Sequence, residues 1–167
     1  MTIQRGAISL LVLALSLSAQ ITDKKPSSGQ RDQVRFINPP GLAQNPRFTQ
    51  VVEITTGRNV LISGQVAFDK DSNVVGKGDM RAQTAQVFDN LKTALDGVGA
   101  TFNDVVKLNS YIVDMPANLA AYRDVRAQYL AKNEHQPAST TVGVSALVSP
   151  DLLLEVDALV ILPEKRK

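Results

Sequence analysis

The stretch that most constrains the fold is Gln136–Pro163, QPASTTVGVSALVSPDLLLEVDALVILP, which reads as two strands joined by a turn. From Leu152 to Leu162 one set of alternating side chains is wholly apolar: Leu152, Leu154, Val156, Ala158, Val160 and Leu162. The opposite set is Leu153, Glu155, Asp157, Leu159 and Ile161. Successive side chains of a strand point to opposite faces, so Glu155 and Asp157 stand on one face, roughly 7 Å apart, among apolar neighbours. Carboxylates are rarely buried without partners. The strand is therefore either a core strand with a polar notch or one wall of a pocket.

The elements before it follow from pattern. Gln50–Ile54 and Asn59–Phe68 read as short strands around Thr55–Arg58, a hairpin connection. Ser63-Gly64 interrupts the second, and a glycine within a strand marks a bulge or a close approach. Asp79 is placed to N-cap a helix running to about Asp96. Its apolar stripe is Met80, Thr84, Val87, Phe88, Leu91, Ala94, Leu95 and Val98, and Gly97 and Gly99 supply the stop. Val105–Val113 is a further strand, with Val106, Leu108, Ser110 and Ile112 on one face and Lys107, Asn109 and Tyr111 on the other. Asp114-Met115-Pro116 opens a second helix with Leu119, Tyr122, Val125 and Tyr129 or Leu130 buried.

The order β-β-α-β-α-β-β gives an α+β two-layer domain, a five-to-six-stranded sheet with two helices on one face. Two helices cover one face only, yet the last strand is apolar on both apart from its two acids. A second copy of the chain is the economical cover for the other face, so a homo-oligomer is expected.

Charge narrows the partners. The whole chain carries +2, but seven of its cations lie in the tails. Arg35–Glu164 holds 11 Lys and Arg against 14 Asp and Glu, a net charge of −3. Such a body is poor material for gripping phosphates, so no nucleic-acid partner is expected. With no cysteine, thiolate sites and disulfides have no material; with one histidine, His135, His-based metal or triad chemistry is not expected, nor is a metal or other cofactor.

Met1–Gln20 has Arg5, an apolar run from Ala7 to Leu17, and small residues closing it. This is the form of a secretory signal cut after Ser18 or Ala19, the run being short of the ~20 apolar residues that span a bilayer. The expected organisation is a signal at 1–19, a polar linker at 20–34, a domain at 35–163 and a basic tail at 164–167. The expected location is periplasmic or secreted, with no stable membrane association after cleavage.

Three stretches together resemble the RidA/YjgF family: Asn59–Gln65 with its Ser63-Gly64-Gln65, Gly78–Met115, and the closing pattern Pro137-Ala138, Val142, Val144 and Leu154–Ala158. The likeness runs from about Arg35 to Leu162 in order and spacing. It implies a chorismate-mutase-like fold, a homotrimer, and a small-molecule pocket at each subunit interface. For the best-known branch it also implies hydrolysis of 2-enamine and 2-imine acids to 2-keto acids and ammonia. In that branch an arginine directly after the Pro-Ala pair holds the substrate carboxylate, a task that suits its bidentate fork. This chain has Ser139 there, which donates a hydrogen bond but carries no charge. Phe48 stands where a pocket tyrosine is usual.

The resemblance thus makes Glu155 and Ser63 the catalytic candidates, and Phe48, Arg47, Gly64, Ser139 and Thr141 the substrate-binding ones. Glu155 is read as a water-orienting carboxylate or as a structural acid at a subunit interface. Asp157 is read as structural, His135 as an exposed loop residue, and Lys107 as interfacial or solvent-facing. Arg47 either enters the pocket as a substitute anchor or is a solvated loop arginine. The alternative to deamination is a ligand-binding or chaperone-like homologue that does not deaminate. Endoribonuclease activity, also attributed to the family, fits poorly with the acidic body.

Overall fold

A computed structural model describes residues 33–164; the signal, most of the linker and nearly all of the basic tail read from the sequence lie outside the described residues. Six strands and two long helices appear in the order β1 (Val34–Ile37), β2 (Val51–Ile54), β3 (Arg58–Val66), α1 (Met80–Val98), β4 (Val105–Val113), α2 (Met115–Tyr129), β5 (Ala138–Val144) and β6 (Leu154–Leu162). A short 3-10 turn, Phe102–Asp104, precedes β4.

The strands divide into two sheets, the larger ordered β3-β6-β4-β5 and the smaller formed by β1 and β2. Two connections differ from expectation. β2 pairs antiparallel with β1, Val34 opposite Ile54, rather than forming a hairpin with β3. Gly57, at φ +125°, turns the chain between β2 and β3, and a Cβ there would meet the Ile161 side chain at 2.6 Å. That geometry carries β3 away from β2 and onto β6. Likewise β5 and β6 are not neighbours, because β4 lies between them, parallel to β5 and antiparallel to β6. The last strand is therefore central, paired along both edges.

The alternation read from β6 holds. Leu154, Val156 and Val160 are fully buried and Ala158 nearly so, facing the helices, while Glu155, Asp157 and Leu159 are half-buried on the other side. β4 departs from the simple alternation at its start. A register shift between Val105 and Lys107 sends Val105 into the main core and turns Val106 towards the opposite side, beside Ile161.

Helix α1 begins where the sequence places it: the Asp79 carboxylate accepts hydrogen bonds from the amides of Arg81 and Ala82. It ends at Gly99 in the left-handed conformation, φ 73°, where glycine is favoured. Its buried stripe takes in Gln83, which the apolar pattern passes over, and leaves Val98 exposed, because the helix ends there. Gln83 is fully enclosed and satisfied. It donates to the Asp151 carbonyl at 2.7 Å and accepts from the Leu153 amide at 2.8 Å, pinning the chain entering β6.

Helix α2 packs against α1 and covers β4 and β5. Phe88 of α1, Phe102 and Tyr129 of α2 form one aromatic cluster, with Phe88 5.1 Å from Tyr129 and 5.9 Å from Phe102 between ring centroids. Asp114 does not cap α2 with its side chain; it takes the left-handed conformation, and Pro116 sits in the first turn, where a missing N–H breaks no helical bond. The buried set on α2 is Tyr122, Val125 and Arg126, with Leu130 just beyond.

Candidate functional site

The expected site residues fall into two groups. The first is built on the face of the larger sheet that the helices leave open. There β6 brings Glu155 opposite Tyr111 of β4 on one side and Val66 of β3 on the other. The pairing of β3 with β6 breaks between Ile62 and Gln65, so Ser63 and Gly64 form a bulge at the sheet edge. Glu155 lies directly over that bulge. A Cβ built on Gly64 would stand 1.9 Å from Glu155 Oε1 and 2.7 Å from its Cδ. The carboxylate fills the space a side chain at residue 64 would need, and glycine is what admits it.

Glu155 and Asp157 differ sharply in their partners. Asp157 accepts hydrogen bonds from Asn109 Nδ2 at 2.8 Å and from the Tyr111 hydroxyl at 3.1 Å. Glu155 accepts none among the described residues. One acid is tied into the sheet; the other lies over the Gly64 bulge, open to a ligand or water. Lys107, on the same face, donates to Thr140 Oγ1 at 2.6 Å. His135 is exposed and stacks on Phe36 at 4.7 Å.

The hydrogen bond from the Tyr111 phenol to Asp157 raises its pKa, with smaller contributions from the charge of Asp157, burial and the charge of Glu155. The sign is fixed: negative neighbours stabilise the protonated phenol, so the folded chain holds this proton above the ordinary value of about 10. The corresponding stability is present below that pH and is lost as pH rises through the raised pKa. In Asp157→Asn the Tyr111 titration is expected to move down in pH, read by NMR of the labelled phenol ring. The stability lost at alkaline pH should shrink in step. A Tyr111 titration unmoved by the substitution would mean that Asp157 is not the cause.

The second group lies at the other end of the sheet. Ser139 and Thr141 pair with Leu108 and Ser110, both buried beneath the helices, so their side chains face α2. The segment carrying Arg47 and Phe48 is fastened here by Thr49, which is buried. Its amide donates to the Pro137 carbonyl at 3.2 Å and its hydroxyl to the Gln136 carbonyl at 2.6 Å. Phe48 is half-buried and Arg47 exposed. The Arg47 carbonyl accepts a hydrogen bond from Arg126 Nη1 at 3.1 Å. Tyr122 shares a 2.6 Å hydrogen bond with Ser110, and burial pushes its phenol up, opposed by Arg126 and by the hydroxyls of Ser110 and Thr141.

The larger sheet has β3 and β5 as its edges. Glu155 with Ser63 and Gly64 sits towards one edge on the open face; Ser139 and Thr141 sit on the other edge, turned to the helices. One chain therefore does not close the expected residues into a single pocket. The cavities of one chain lie elsewhere or hold few of them. One of about 610 Å³ is framed by β1, Asp104, His135 and Ile161, and one of about 640 Å³ opens between Gly64, Phe68 and Asn90.

Pattern reading missed Arg126, Tyr122 as a polar group, and the Asn109–Tyr111 pair. The signals were present. Arg126 occupies the stripe position four residues after Tyr122, where an apolar residue is expected. Asn109 and Tyr111 alternate on the more polar face of their strand, the one that also carries Lys107.

An α+β domain of this topology, with a central-strand acid over a glycine bulge in its edge strand, has clear relatives. The family model described as Endoribonuclease L-PSP matches residues 41–162. A RutC family protein of Pyrococcus horikoshii is 37% identical over 106 residues, 64% of this chain and 81% of that protein. The 2-iminobutanoate/2-iminopropanoate deaminase of Dermatophagoides farinae is 31% identical over 130 residues, 77% of this chain and 96% of that one. The crystal structure of a Rid family protein of unknown function from Yersinia pestis is 39% identical. It superposes with a TM-score of 0.73 and covers 78% of this chain and 99% of its own. The chain belongs to the endoribonuclease L-PSP family, that of the RidA/YjgF proteins.

Proposed function

We propose that this protein is a homotrimeric hydrolase that converts 2-enamine and 2-imine acids to 2-keto acids and ammonia in pockets between subunits. One observation carries the reading: Glu155 lies against Gly64 with both carboxylate oxygens free of partners among the described residues. A carboxylate so placed can orient a water and accept its proton as the water oxygen adds to the imine carbon. That proton passes to the nitrogen to give an amino alcohol, the adduct's hydroxyl proton follows it as the carbon–nitrogen bond breaks, and the products are a ketone oxygen on the former imine carbon and one ammonia. Ser63, exposed on the same bulge, would hydrogen-bond the adduct.

The trimer is proposed on two grounds. The two groups of site residues lie apart in one chain, so a neighbour would have to bring them together. In addition, the edge strand β3 leaves Leu61 81% exposed on the open face, opposite Leu159. The deaminase relative supports the reaction class. The acidic body opposes an RNA substrate, since gripping a phosphate chain takes a track of cations. Export to the periplasm or the medium, proposed from the N-terminal pattern, would place this chemistry outside the cytoplasm.

The test is ammonia release by the protein from about Gln20 onward, with 2-iminopropionate generated in situ. Light scattering on the same sample should give a mass three times that of the protomer. Turnover above the uncatalysed rate is the expected result. A trimer that binds 2-keto acids without releasing ammonia would make this a ligand-binding homologue. A monomer would remove the shared pocket.

A further inference from the structure

We infer that Arg126 is the anchor for the substrate's carboxylate, reaching from α2 the place where Ser139 supplies no charge. The inference rests on the hydrolase reading above and adds the residue that would confer its preference for acids. Arg126 is only 6% exposed, yet among the described residues its guanidinium makes one hydrogen bond, from Nη1 to the Arg47 carbonyl. Nε and Nη2 are enclosed with no partner among those residues. Those two N–H groups form one edge of the planar fork, the edge that matches the two oxygens of a carboxylate.

The charges around it point the same way. The ionisable groups acting on Arg126 are Tyr122, Arg123 and Arg47; no carboxylate is among them. None of the three arginines forms an ion pair among the described residues. A buried cation is ordinarily paired. A buried guanidinium whose charged neighbours are two exposed arginines and no acid describes a site that lacks its anion.

Its location follows from the topology. β4 and β5 are parallel, so the helix joining them runs antiparallel to both. Tyr122 lies beside Thr141. Advancing from Tyr122 to Arg126 moves about 6 Å along the helix axis. Stepping back from Thr141 to Ser139 covers about 6.6 Å along the strand. Arg126 is therefore level with Ser139, on the face to which Ser139 points. The same level is reached from the other direction, since Thr49, two residues after Arg47, is bonded to Gln136 and Pro137. A carboxylate reaches Nε and Nη2 when the segment carrying exposed Arg47 and half-buried Phe48 shifts outward, exchanging the Arg47 carbonyl for a charged acceptor.

The experiment titrates the assembled protein, labelled at arginine, with 2-oxobutanoate and, separately, with its neutral amide and inorganic phosphate. The Arg126 Nε–H resonance is expected to shift and saturate with the keto acid, and the amide should bind far more weakly. Arg126→Met should raise Kd by about 30-fold or more. Adding Ser139→Arg to that variant should recover most of the loss, because the guanidinium then comes from the strand. If Arg126→Met does not fold, the Nε–H titration of the unmodified chain decides alone. An unmoved Arg126 resonance at saturation, no binding of the keto acid, equal binding of amide or phosphate, or unchanged affinity in folded Arg126→Met would overturn the inference. Ammonia release distinguishes the two claims. Arg126-dependent binding without turnover defeats the hydrolase and leaves the anchor; turnover with KM unchanged in Arg126→Met does the reverse.

Discussion

Glu155→Gln is expected to lower kcat/KM for imine hydrolysis by about 10²–10⁴-fold, the range for losing a general base. The substitution keeps the side chain's shape, so its contact with Gly64 survives, and no hydrogen bond among the described residues depends on the charge. Folding stability should therefore stay within about 0.5 kcal/mol of the parent, and loss of activity would report chemistry. Gly64→Ala approaches the same group from the other side. A methyl 1.9 Å from Oε1 cannot coexist with the present rotamer, but the group in its way is the mobile end of a side chain. Glu155 would swing aside, costing about 10²-fold in rate through misplacement and little in stability. The measurements are steady-state ammonia release and thermal unfolding on each variant. Full activity in Glu155→Gln would leave Glu155 as a structural acid and remove the basis of the proposed mechanism.

The two acids of β6 illustrate what the sequence could and could not reveal. Their shared face and apolar surroundings were legible, because strand periodicity alone sets them. Which of them is tied down was not, since that depends on Asn109 and Tyr111, which are 48 and 46 residues from Asp157 in sequence. Helix positions were similarly legible, and Asp79 and Gly99 bound α1 with the capping chemistry expected of them. Strand pairing was less so. Nothing local in Thr55–Arg58 distinguishes a hairpin turn from a crossing between sheets, and the deciding contact is Gly57 against Ile161, a hundred residues on. The site suffered most from this. Sequence resemblance named residues at both edges of the sheet, but only the strand order reveals that one chain holds them apart. Arg126 was hidden because stripe reading treats a charged residue as a surface residue, and here tertiary packing overrides that rule.

Phe88→Ala is expected to destabilise the fold by about 3–5 kcal/mol, the range for removing a buried aromatic side chain. Phe88 has no exposed surface and lies where α1, α2 and the turn before β4 meet, in ring contact with Tyr129 and Phe102. Neighbouring groups are poorly placed to fill the void. Tyr129 is fixed by its hydroxyl, which donates to the Ala85 carbonyl at 3.1 Å and to Asp89 at 2.9 Å. Phe102 belongs to a turn closed by the Thr101–Asp104 capping box. With collapse resisted on two sides, the transfer and cavity terms should both be felt, which favours the upper part of the range. Set against a total stability of about 5–15 kcal/mol, that is enough to bring a domain of this kind close to its unfolding midpoint. Val98→Ala is the matched comparison, because the sequence pattern puts Val98 on the same apolar stripe while the fold leaves it 41% exposed. It should cost no more than about 0.5 kcal/mol. Urea unfolding of both variants, at one protein concentration so that any assembly contributes equally, separates the two cases. Similar losses at the two positions would mean that Val98 is covered in the assembled protein. A loss below about 1.5 kcal/mol at Phe88 would mean that the cluster repacks, and that the joint between the helices is softer than its geometry indicates.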